Sequence, residues 1–138
     1  MCLILDTNRY GLFLDPTNED MKPVREWIDK KNGKIAYSPI GRMRDELAKY
    51  PKMRRQFEQY RRADKLKNIP VEIVEERKSR LSDLRSDDPD IIALAQVSEV
   101  NLLISGDENL HTDFKRIVGG KIYQTRSHKH LLRNDLCP

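Results

Sequence analysis

The apolar positions of this chain follow two rhythms. Cys2-Leu3-Ile4-Leu5 is an unbroken apolar run that stops at Asp6-Thr7-Asn8, as expected of a strand covered on both faces. Four further strands are expected at 34–38, at Val71-Glu72-Ile73-Val74 after the Asn68-Ile69-Pro70 break, at 101–105 and at 121–124. Between them the spacing turns helical. Val24, Trp27 and Ile28 predict a helix over 21–31, ended by Asn32-Gly33. Ile40, Met43 and Leu47 mark a second helix, Pro51 interrupts it, and Met53, Phe57 and Tyr60 carry a third. A charged turn or two is expected within 75–85. Asp88-Pro89 opens another helix, with Asp88 as cap and Pro89 at its first position, and the nearly all-apolar 91–97 makes that helix a buried one. A short helix over 111–118 ends at Gly119-Gly120, and the basic 125–138 adds a last turn.

Strands and helices alternating in this order predict an α/β fold, a three-layer sandwich around a small, mostly parallel sheet of about five strands, in a single domain over 1–138. In such sheets ligands bind beyond the carboxyl ends of the strands. Acidic residues follow two apolar runs at that place, in Leu5-Asp6 and in Ser105-Gly106-Asp107.

Composition narrows the function classes. Only 38% of the 138 residues are hydrophobic and 35% are charged, yet the apolar residues sit in coherent blocks, which argues against disorder. No apolar run approaches the roughly 18 residues of a membrane span, and Asp6 ends the opening run before a signal peptide could form. Cys2 and Cys137 are too few for a disulfide scaffold or a zinc site, so a reduced, cytoplasmic protein is expected, although the two could meet. The net charge of +4 hides a segregation: 21–85 holds 19 basic and 10 acidic side chains, whereas 86–113 holds seven acids and no Lys or Arg. With four acids in 1–20, folding the acidic stretches together would set an acidic pocket in a basic surface, a pattern suited to a divalent metal beside a polyanion.

The acids that matter are Asp6, Glu46, Asp90 and Asp107. Asp6 and Asp107 end apolar runs, where a buried carboxylate needs a cap, a partner or a metal. Gly106 would let the turn before Asp107 bend tightly. Asp90 lies in the first turn of a helix, where the dipole favours an acid regardless of function. Glu46 sits near the face of Met43 and Leu47, with Asp45 further round. Carboxylates gathered together raise one another's pKa unless a cation offsets them, and hard oxygen ligands select Mg²⁺ or Mn²⁺. His111, His128 and His130 come late in the chain and suit surface or structural roles, with His111 close enough to Asp107 to touch a substrate.

Together these motifs resemble the PIN-domain family over most of the chain. Leu3-Ile4-Leu5-Asp6-Thr7-Asn8 looks like the family's opening strand, Glu46-Leu47 like its Glu-Leu pair, Asp90-Ile91-Ile92-Ala93-Leu94-Ala95 like its aspartate-led helix, and Leu103-Ile104-Ser105-Gly106-Asp107-Glu108-Asn109 like its closing strand and loop. The resemblance implies strand order 3-2-1-4-5 and a metal-dependent ribonuclease. Asp6, Glu46, Asp90 and Asp107 would hold Mg²⁺ or Mn²⁺, Asn8 and Ser105 would orient ligands, and Asn109 would hold a water. It also implies RNA as substrate, an antitoxin protein as a partner in toxin-type members, and a homodimer. Two departures stand out. The setting Arg42-Met43-Arg44-Asp45-Glu46 is unusually basic and leaves Asp45 as an alternative ligand, and Asn109 occupies a position that is acidic in some members, for which Asp88 or Glu108 would compensate.

Arg54, Arg55, Arg61 and Arg62 recur two helical turns apart, opposite Met53, Phe57 and Tyr60, and suit salt-sensitive contacts to RNA phosphates. Tyr50 is a candidate for base stacking or for the core. Three other classes fit parts of the pattern: a structure-specific DNA nuclease, a catalytically silent RNA- or partner-binding domain, and a receiver-like signalling domain. The last lacks an acceptor aspartate at Val74-Glu75.

Overall fold

A computed structural model, describing residues 2–133, gives one five-stranded parallel sheet in the order β3-β2-β1-β4-β5. The strands are β1 (Cys2–Leu5), β2 (Lys34–Tyr37), β3 (Leu66–Asn68), β4 (Leu102–Ile104) and β5 (Lys121–Ile122). β1 pairs with β2 through Leu3 and Ile35 and with β4 through Ile4 and Leu103, so every side chain of the opening run is buried. The helices are α1 (Tyr10–Leu14), α2 (Lys22–Lys30), α3 (Gly41–Ala48), α4 (Pro51–Arg62), α5 (Val71–Lys78), α6 (Pro89–Ser98) and α7 (Glu108–Asp113). The helices connect parallel strands throughout, an arrangement consistent with a three-layer sandwich. No helix among the described residues is long and apolar enough to cross a membrane.

The strand expected at Val71–Val74 is instead the start of α5. Pro70, at φ −57° and ψ 133°, launches the helix, and fully buried Val74 contrasts with half-exposed Ile73, a helical rather than an alternating pattern. The third strand is Leu66–Asn68, whose register on β2 aligns Ile35 with Leu66 and Tyr37 with Asn68. An edge strand needs only one apolar residue and tolerates lysine, so it leaves little trace in the pattern. α1 was also unanticipated; it buries Tyr10 and Phe13 on one side. The closing helix begins earlier than expected, at Glu108, and passes into a π-helical turn over Phe114–Val118. Cys2 is disulfide-bonded rather than the free thiol expected, and Cys137 lies outside the described residues.

The core joins the sheet aliphatics to Tyr10, Phe13, Trp27, Phe114 and Tyr123. Ile91, Ile92, Ala93, Leu94 and Ala95 are all buried, because α6 packs against β2, α3 and α5 at once. Each fully buried Ile or Leu among them contributes about 1.5–3 kcal/mol. Trp27 donates its indole N–H to the Arg133 carbonyl at 2.7 Å and so ties the last described turn to α2.

The chain runs from β1 outward to β2 and β3, then returns across the sheet to β4. The topological switch therefore lies between the carboxyl ends of β1 and β4, where Asp6 and Asp107 follow.

Candidate metal centre

Asp6 is 5% exposed, and its backbone N–H continues the β1–β4 ladder to the Ile104 carbonyl at 2.9 Å. Both carboxylate oxygens are fixed: Oδ1 accepts from the Thr7 N–H at 2.8 Å and Oδ2 from the Ser105 hydroxyl at 2.6 Å. Ser105 Oγ in turn accepts from the Asp107 N–H at 3.1 Å, so one buried hydroxyl links the two strand-end acids. Asn8 accepts from the Gly106 N–H at 3.1 Å through Oδ1 and holds the β4 loop against the β1 loop. Gly106 is not at positive φ; a Cβ there would instead meet the Arg9 guanidinium, 2.8 Å from Cζ.

Asp107 caps α7, with Oδ1 accepting from the N–H groups of Asn109 at 2.9 Å and Leu110 at 3.3 Å. Asn109 itself is exposed and serves through its backbone. His111 is held to the end of β4, its Nε2 2.6 Å from the Ser105 carbonyl.

Leu5, Asp6, Thr7, Asn8, Arg42, Met43, Glu46, Tyr50, Asp88, Ile91 and Asp107 enclose a cavity of about 270 Å³ above the switch point. Glu46 is the α3 acid that reaches it, its Oε1 3.8 Å from Arg42 Nε; Asp45 points to solvent and pairs with Arg44 at 3.2 Å. From α6 the contributor is Asp88. Although Asp88 occupies the cap position, its side chain makes no capping bond and faces the cavity, 4.0 Å from Arg42 Nη1.

Asp90, expected in this set, does not line the cavity. It is 3% exposed, accepts from the Arg42 N–H at 3.0 Å through Oδ2, and sets Oδ1 2.7 Å from the Lys78 ammonium. The reason lies in α3, whose cap residue is Ile40 and has no side-chain acceptor to offer. Asp90 supplies that acceptor from the neighbouring helix. Gly41, at φ +42°, makes the approach feasible, because a Cβ there would stand 2.9 Å from Asp90 Oδ2.

The electrostatics separate these acids further. Burial, helped by the charge of Asp107, pushes the Asp6 carboxyl above the usual range, while the Ser105 and Thr7 hydrogen bonds and Arg42 oppose it. Burial is also the main cause at Asp88, whose pKa is pushed up to about 6; the charges of Asp6, Asp107 and Asp90 add to it and Arg42 works against it. Burial also opposes ionisation of Asp113, but hydrogen bonds from the Arg85 and Ser86 N–H groups, with Arg116 nearby, hold its carboxyl below the usual range. That clamp on residues 85 and 86 fixes the loop leading to Asp88. In the sequence Arg42 stands out only as part of a basic setting around Glu46, and nothing singles out Asp113. The sequence around Asp113, Leu110-His111-Thr112-Asp113-Phe114, carries no apolar run that would have marked it as buried.

Among the described residues no group of three His, Cys, Asp or Glu side chains stands close enough together to hold a metal ion. The donor chemistry nonetheless fits a hard divalent cation. Asp6, Glu46, Asp88 and Asp107 border one cavity, all oxygen donors, and two of them are pushed toward protonation by burial and by one another's charge.

The basic face divides in two. Arg61 and Arg62 both pair with Glu58, at 2.5 and 3.3 Å, whereas Arg54 and Arg55 form no ion pair among the described residues. Met53, Phe57 and Tyr60 are buried beneath them, as their spacing predicts. No family model, curated protein or solved structure matches the chain.

Proposed function

We propose that the protein is a metal-dependent endoribonuclease of the PIN-domain kind, acting at the cavity above the β1–β4 switch point. The observation that carries this reading is the convergence of Asp6, Glu46, Asp88 and Asp107, from four separate segments, on one cavity beside a cationic helix. These four carboxylates would hold Mg²⁺ or Mn²⁺, with Asp88 in the place the resemblance assigns to Asp90. A bound ion of this type supplies an acidified water and offsets charge on a phosphodiester. The chain's own groups do the positioning. Ser105 and the Thr7 N–H hold the Asp6 carboxylate in one orientation, and the α7 backbone holds that of Asp107. Asn8 keeps the two strand-end loops together. Arg42, half-exposed at the cavity mouth, is placed to meet a phosphate oxygen. Hydrolysis would leave a 5′-phosphate and a 3′-hydroxyl.

A second reading has an observation of its own. The Arg42 guanidinium stands between Glu46 and Asp88 and compensates charge without an ion, which suits a catalytically silent RNA- or partner-binding domain. Cleavage of end-labelled RNA in Mg²⁺ or Mn²⁺, with and without EDTA, separates the two. The nuclease yields metal-dependent fragments bearing 5′-phosphates, and Asp6→Asn abolishes them. RNA binding with no metal-dependent product, or full activity in Asp6→Asn, refutes the nuclease.

A further inference from the structure

We infer that the groove beside the carboxylate cavity is a path for single-stranded RNA, in which Tyr50 stacks on an unpaired base and Lys49, Lys52 and Arg55 hold the phosphates around it. This rests on the nuclease reading and adds the form of the substrate and the direction from which it reaches the acids.

The groove has a volume of about 660 Å³ and a mostly apolar lining that includes Leu14, Pro16, Lys49, Tyr50, Lys52 and Arg55. Tyr50 also borders the carboxylate cavity, so the two spaces share one wall and a strand lying in the groove leads to the acids. Most large apolar side chains of this fold are buried, yet Tyr50 is 41% exposed. It is nonetheless held firmly. Its ring meets the buried Tyr10 ring edge-on, with centroids 5.6 Å apart and planes at 88°. Its N–H donates to the Leu47 carbonyl at 3.0 Å, its carbonyl accepts from the Arg54 N–H at 2.9 Å, and Pro51 fixes the chain that follows. A ring fixed from behind and open in front loses little freedom when a base covers it.

Charge selects the occupant. Lys49, Lys52 and Arg55 enter no ion pair among the described residues, unlike Arg61 and Arg62 on the same helix. Asp15, the acid lining the groove among the described residues, is turned into its own loop, where Oδ1 accepts from the Thr17 N–H at 2.9 Å and the Thr17 hydroxyl at 2.7 Å. An apolar lining, a presented ring and three free cations match a polyanion with exposed base faces. A duplex, whose bases are already stacked, offers no face to the ring.

The test uses the full chain in EDTA, so that nothing is cleaved, and a single-stranded RNA oligonucleotide carrying one 2-aminopurine. Wild type and Tyr50→Phe are expected to quench the fluorophore saturably. Tyr50→Ala is expected to lose the quench and bind about 10-fold more weakly. Lys52→Gln with Arg55→Gln, which leaves the ring untouched, should keep the quench while flattening the salt dependence of binding by about two phosphate contacts. A duplex of the same sequence should not quench. Retained quenching in Tyr50→Ala overturns the inference. So does a change of oligomeric state in Tyr50→Ala with RNA binding intact, which would assign the groove to a second copy of the chain. Metal-dependent cleavage by a wild type that shows no quench defeats this inference alone, whereas neither binding nor cleavage defeats the nuclease reading as well.

Discussion

Asp88 and Asp90 are two residues apart, and the structure gives them opposite roles, so their replacements should move stability in opposite directions. Removing the Asp90 side chain leaves the Arg42 N–H without an acceptor and the Lys78 ammonium without a counter-ion. Losing a cap costs about 1 kcal/mol. Breaking a buried ion pair costs about 3–5 kcal/mol, but Lys78 is 38% exposed and can turn to water, which cuts that share substantially. Asp90→Ala should therefore destabilise by about 2–3 kcal/mol, roughly an 8 °C fall in Tm for a chain of this size. Asp88→Asn should do the reverse at neutral pH. The folded-state pKa of Asp88 is raised to about 6 from 3.8, so the fold favours the protonated acid. That favourable contribution is complete below about pH 4 and is lost as pH rises through 6, where the ionised group becomes a burden on the fold. Asparagine removes the burden, a gain of about 1–2 kcal/mol at pH 7.5 that fades to nothing near pH 4. Urea denaturation of both variants in EDTA, at pH 4 and 7.5, measures these differences. A neutral Asp90→Ala, or an Asp88→Asn that destabilises at pH 7.5, would refute the division of labour.

Gly41→Ala should destabilise by about 1–3 kcal/mol, since it combines a backbone at φ +42° with a Cβ pressed to 2.9 Å from a buried carboxylate; thermal melts beside Gly11→Ala, where a Cβ meets nothing, provide the control. On α4, Arg54→Gln with Arg55→Gln should weaken RNA binding more than Arg61→Gln with Arg62→Gln, because the second pair is already engaged by Glu58. Fluorescence anisotropy at several salt concentrations reads this, and the first pair should lower the log–log salt slope by about two.

The central frame of the fold was legible in the sequence because burial there is total. β1 and β4 are covered on both faces and α6 on nearly all sides, so their apolar runs are unbroken. The edges were not legible. Leu66-Lys67-Asn68 is a strand through its hydrogen bonds to β2, which no local pattern encodes, and Val71-Glu72-Ile73-Val74 carries β-rich residues in a helix that Pro70 starts. The same boundary governs the site. Asp6 and Asp107 could be found because they follow buried strands at the switch point, whereas Asn8 and Ser105 came only from the resemblance. Glu46 and Asp45 could not be told apart until α3 was oriented on α6. That Asp88 rather than Asp90 lines the cavity has a physical reason. The sequence identifies a helix start, but it does not reveal that the neighbouring helix begins with Ile40 and must borrow an acceptor, which draws Asp90 away and leaves Asp88 facing the cavity.

The most direct test of the account is an anomalous difference map from crystals of the protein soaked in Mn²⁺. The account predicts a Mn²⁺ peak within the cavity bordered by Asp6, Glu46, Asp88 and Asp107, with Asp90 still on Arg42 and Lys78. An empty cavity at saturating Mn²⁺, or an ion held by Asp90 in place of Asp88, would contradict it.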